Sequence, residues 1–233
     1  MKKIIITLVT ILMINAAFSQ AKFGIQLGSN FSNVDWVDDG EKLVTDSKTG
    51  LAIGLVADVE IGNSLHFRPE LNYVQKGARE NDSYTNTFGG STTYYTTEGK
   101  IKLNYLELPL NFCYNVPVGS GELLLGAGPI IGIGIGGAIE YSTTVKTNSM
   151  VETEEFSNTV KFDGDKNSTS TDQSLHLKPI DINLGFLGGY RLKNGVVFTA
   201  GYNVGLTNIY PDALSSLKNK GFVLKLGYMF NKK

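Results

Sequence analysis

Two histidines, His66 and His176, are the only imidazoles in this 233-residue chain. Relay-type acyl transfer or proteolysis would have to pass through one of them, since it needs a hydroxyl, an imidazole and a carboxylate within hydrogen-bond reach. His176 has Ser174 and Asp172 close by, but as neighbours in a polar connection that matches no relay motif. His66 stands next to a predicted turn. The run Asp163-Gly164-Asp165-Lys166-Asn167-Ser168-Thr169 places oxygen ligands at alternate positions, as a calcium loop does. It has Ser168 where the sixth-position Gly belongs and Ser174 where the twelfth-position Glu belongs. Cys113 is the only cysteine, which excludes an internal disulfide and a multi-cysteine zinc site; it reads as a packing residue. The glycine-rich run at 126–137 lacks the Lys-Ser/Thr ending of a phosphate loop. This reading names no catalytic residue, no cofactor and no metal.

The remaining charged residues follow a different rule. Arg68, Glu70, Glu107, Asp181, Arg191 and Lys225 fall on alternate positions of segments whose other positions are apolar. A period of two is the strand period. Eight such segments begin near residues 23, 51, 65, 101, 123, 180, 196 and 222. In the second, Ile53, Leu55 and Ala57 alternate with Gly54 and Asp58. In the seventh, Phe198, Ala200 and Tyr202 alternate with Thr199, Gly201 and Asn203. The fourth changes parity, from Ile101, Leu103 and Tyr105 to Leu106, Leu108 and Leu110. A β-bulge near Tyr105-Leu106 is the expected remedy.

The elements that position these residues also carry an address. Met1-Lys2-Lys3, an apolar run from Ile4 to Ile14, and Ala17-Phe18-Ser19 form a secretory signal with cleavage after Ser19. Residues 20–233 then form one domain. The chain has 21 Lys+Arg against 22 Asp+Glu, and loss of Lys2 and Lys3 leaves 19 basic residues. That balance offers no basic stripe for nucleic acid. Short turns at 62–64, 116–120 and 193–195 alternate with long connections at 32–49, 78–99, 142–177 and 208–220. Together these features predict an all-β fold, an eight-stranded antiparallel up-and-down transmembrane β-barrel of the outer membrane, with short turns in the periplasm. Ile53, Leu55, Leu108, Leu110, Phe198, Leu224 and Leu226 should face lipid. Phe31, Tyr73, Tyr141, Tyr190 and Phe230 should form interfacial girdles. The six charged residues should point inward and pair, because an eight-strand interior is filled by side chains.

Three stretches carry a resemblance: Arg68-Pro69-Glu70-Leu71-Asn72-Tyr73-Val74-Gln75-Lys76-Gly77, Leu103-Asn104-Tyr105-Leu106-Glu107-Leu108-Pro109-Leu110, and Gly126-Ala127-Gly128-Pro129, with Gly221 to Phe230 at the end. They resemble the PorT-like or "porin family" barrels of Gram-negative envelopes. The resemblance implies an eight-stranded outer-membrane barrel in contact with lipid, some members serving protein secretion. The expected role is structural or interactive: long loops that display a surface for adhesion or for docking an envelope or extracellular protein. The alternatives are a narrow pore for small solutes and a soluble secreted barrel with an apolar ligand inside.

Overall fold

The computed structural model describes residues 21–148, 150–165, 173–212 and 214–230; the expected signal segment lies outside them. The strands are β1 (Lys22–Asp38), β2 (Glu41–Leu43), β3 (Asp46–Gly62), β4 (Leu65–Phe88), β5 (Ser91–Val118), β6 (Gly121–Thr147), β7 (Met150–Lys161), β8 (Leu175–His176), β9 (Ile180–Leu192), β10 (Val196–Gly205) and β11 (Ser216–Met229). Eight of them close a ring in the order β1-β3-β4-β5-β6-β9-β10-β11, and β11 returns to β1 through Gly24↔Met229 to Val37↔Ser216. All the ring pairs are antiparallel. β2 folds back on β1, and β7 extends the sheet from β6.

Side-chain direction follows the alternation. Ile53, Leu55, Leu108, Phe198, Leu224 and Leu226 are exposed on the outside, with Leu110 partly so. Gln26, Asn30, Asp58, Arg68, Glu70, Asn72 and Asn111 are buried within the ring. An apolar belt outside and a polar, filled interior is the arrangement of a barrel solvated by lipid, and it excludes the soluble apolar-ligand barrel.

Glycine sits where the wall leaves no room. A Cβ on inward-facing Gly28 would lie 1.9 Å from the Leu224 carbonyl oxygen of the adjacent strand. At one end of the ring the turns are tight, and Ser64, Gly119 and Gly195 take positive φ there. We call this the turn end and the opposite one the crown end.

Three expectations need correction at the crown end. The predicted long loops are largely paired strand. β4 and β5 run on together to Phe88↔Ser91 and close with Gly89-Gly90, both at positive φ as a type I′ hairpin turn needs. β6 and β7 pair in the same way up to Thr147↔Met150. β4, β5, β6 and β7 thus make a four-stranded sheet standing beyond the belt. Secondly, β5 has no bulge at Tyr105-Leu106. Its odd-numbered residues from Ile101 to Cys113 stay inward throughout. The extra residue is Ile135 of β6, between Asn104↔Gly136 and Tyr105↔Gly134. Thirdly, that bulge turns Ile139 inward, and Tyr141 packs on the interior cluster rather than in a girdle.

Candidate functional site

The lumen holds two ionic clusters, one above the other. Near the turn end Asp58 is the hub. His66 Nδ1 lies 2.5 Å from Asp58 Oδ1, and an Arg191 Nη1–H donates to Asp58 Oδ2 at 2.6 Å. Arg191 also donates to Glu122 at 2.5 Å. Arg68, fully buried, stands 3.8 Å from Asp58 and donates its Nε–H to Glu70 at 3.3 Å. Lys225 and Gln26 donate to Glu70 Oε2 at 2.5 and 2.6 Å. Toward the crown, Lys76 Nζ is 2.6 Å from Glu107 and 3.0 Å from Asp181, and 4.9 Å from the centre of the Tyr105 ring. Asn219 adds a donor to Asp181 at 3.0 Å. Between the clusters a cavity of about 40 Å³ is lined by Glu70, Asn72, Glu107, Asn111 and Lys225, among others. It has room for only a few waters.

Arg68, Glu70, Glu107, Asp181, Arg191 and Lys225 therefore all point into the lumen. The structure brings Arg68, Glu70 and Lys225 together, sets Arg191 on the shared hub Asp58, and groups Glu107 with Asp181. Asp58, Lys76 and Glu122 complete these pairs without belonging to the sequence-derived set. Asp58 and Lys76 lie on the same alternating face as their partners, and that parity was the available signal.

Above the upper cluster the mouth is shut by apolar packing. Leu177 and Ile209, from the connections after β8 and after β10, are fully buried against Val34, Ala78, Ile101, Leu103, Tyr105 and Leu217. Phe162 meets the Tyr105 ring edge-on at 5.2 Å. The two connections are tied to each other by Lys178 N–H to the Ile209 carbonyl at 2.8 Å, and to the wall by Gly134 N–H to the Pro179 carbonyl at 2.8 Å. Asn208 pins the second, accepting from Tyr210 and Leu217 N–H at 2.9 Å each.

The histidines are committed to carboxylates. His66 belongs to the Asp58 hub, and His176 Nδ1 sits 2.8 Å from Asp163. That contact holds the exposed Asp163 carboxyl below its ordinary range. Asp172, the other acid close to His176 in sequence, lies outside the described residues, as does 166–169 of the calcium-like run. Cys113 is buried in the wall.

Beyond the mouth the crown sheet is held by cross-strand hydroxyl pairs, Thr93–Thr147 at 2.7 Å and Thr144–Thr153 at 3.1 Å, and by a stack of Tyr84 on Tyr95 at 4.6 Å. Phe88, Tyr94, Met150 and Val151 are exposed.

Among solved structures the chain is similar to Neisserial surface protein A, at 14% identity and TM-score 0.37, covering 90% of this chain and 99% of that one. It is also similar to the attachment invasion locus protein Ail of Yersinia pestis, solved with the heparin analogue sucrose octasulfate, at 12% identity and TM-score 0.32 over 91% and 99%. The translocator domain of the autotransporter NalP from Neisseria meningitidis matches at 11% and 0.27 over 90% and 88%. No curated protein matches the chain. A family model described as "Outer membrane protein beta-barrel domain" matches residues 16–210. With a closed ring of eight strands, a lipid-facing belt and this match over most of its length, the chain belongs to the outer-membrane β-barrel domain family and is a protein of the outer membrane.

Proposed function

We propose that this protein is a closed, non-catalytic scaffold that holds a β-sheet crown outside the cell for contact with a partner, by adhesion or by docking an envelope protein. One observation carries the reading: the Leu177–Ile209 plug lies over a lumen already filled by paired charges. A pore would need a continuous wet path, and the polar cavity between the clusters holds about 40 Å³. A sealed barrel leaves its exposed end surfaces for function, and rigidly supported connections are where binding resides. The PorT-like resemblance of the stretches at 68–77 and 103–110 favours an envelope partner. Planar-bilayer recording of the refolded protein should show no steady conductance. A stable open channel would replace this reading with transport.

A further inference from the structure

The crown sheet ends on an unpaired edge. β7 pairs with β6 from Gly137↔Val160 to Thr147↔Met150 in continuous register, with no bulge. On its other side it meets only β8, at Val160 and Lys161. Residues 150–159 therefore offer a row of main-chain donors and acceptors with no strand beside them among the described residues. Natural sheets blunt such edges with charged side chains, proline or a bulge; this stretch has neither proline nor bulge, and its charged residues are all glutamates, which repel another acidic strand but not a basic one.

Its charge is one-sided. Glu98 and Glu140 on the neighbouring strands have Lys100 and Lys102 as partners, at 3.7 and 2.5 Å. Glu152, Glu154 and Glu155 are exposed, and no ion pair reaches them among the described residues. The register puts Glu152 and Glu154 on one face of the sheet and Glu155 on the other. An incoming strand would meet carboxylates on both sides. A second copy of β7 would bring three more carboxylates against these, so self-pairing is disfavoured.

We infer that the β7 edge takes up an extended basic segment of an extracellular or envelope protein as an added β-strand. The inference rests on the crown reading above and names its partner chemistry. Backbone pairing supplies the strand geometry, and the glutamates select lysine- or arginine-bearing sequences.

The test uses the full refolded protein in micelles and a short synthetic peptide of alternating Lys and Val. Binding should weaken with added salt, and amides within 150–159 should gain hydrogen-exchange protection. The triple variant E152Q/E154Q/E155Q should bind about fivefold more weakly, since exposed ion pairs each contribute modestly. Its folding is checked by heat-modifiable migration on a gel. A peptide N-methylated at alternate amides should not bind. Three outcomes each overturn the inference: no protection within 150–159, equal binding of the N-methylated peptide, or equal binding of a Glu-for-Lys peptide. A non-conducting barrel that ignores the peptide removes this inference and leaves the scaffold reading standing. An open channel removes the scaffold reading whatever the peptide does.

Discussion

Lys76 shows what a single side chain does in this lumen. It is the cation shared by Glu107 and Asp181, all three nearly fully buried. Removing one member of a buried ionic group strands the others and costs roughly 3–5 kcal/mol. K76M should therefore lose about that much in urea-unfolding measurements. K76M/E107Q/D181N should recover most of it, because no unpaired charge remains. An equal loss in both variants would mean that packing, not charge, sets the cost. Lys100, by contrast, is paired in solvent-exposed surroundings, and K100M should change stability by less than about 1 kcal/mol. Asp35 lies beyond the belt at the crown end. Its hydrogen bond from Lys220, at 2.6 Å, is the largest cause holding its carboxyl below the ordinary value, and Lys42 adds to it. A lowered aspartate contributes stability above its unfolded pKa and loses it as pH falls through the lowered value. A carboxyl-carbon NMR titration should show Asp35 ionising at lower pH in the wild type than in K220Q. Identical titration curves would dismiss the pair.

At the scale of the strand, close approach decides which glycines are replaceable. Gly77 has φ +133°, and a Cβ there would fall 1.8 Å from the Ile101 carbonyl oxygen. At Gly188 nothing lies within 4 Å, and φ is not in the positive range. G77A should block or severely slow refolding, whereas G188A should refold as the wild type does, both read from the heat-modifiable gel shift. Similar behaviour of the two would contradict the backbone geometry. β5 shows why hydrophobic parity misled. Leu103 and Tyr105 point inward because the crown-end interior is an apolar plug, while Glu107 and Asn111 on the same face meet the polar middle. The strand keeps its direction and the medium inside the barrel changes. A one-strand pattern cannot separate that from a flip.

For the whole molecule, ring and crown are separable. Residues 82–97 of β4 and β5 pair mainly with each other and with β6, and they carry no residue of the buried clusters. Replacing 82–97 by a two-residue Asn-Gly turn should leave a folded, heat-modifiable barrel. Loss of the gel shift would make the crown part of the folding core.

By itself the sequence determined the eight strands, the lipid-facing residues outside the crown ends of β5 and β6, and the alternation of short and long connections. Each of these depends on residues near one another in the chain: the two-residue period and the turn-forming glycines, asparagines and serines. Tertiary structure alone decided the rest. Lys76 meets Asp181 across 105 positions and Asp58 meets Arg191 across 133, so these pairs depend on the strand stagger that closes the ring. Whether a connection is a loop, a paired ribbon or a plug likewise depends on what the neighbouring strand offers. Leu177 and Ile209 sit in polar stretches and become a stopper only because Val34, Ile101, Leu103 and Leu217 converge on the same mouth from three strands.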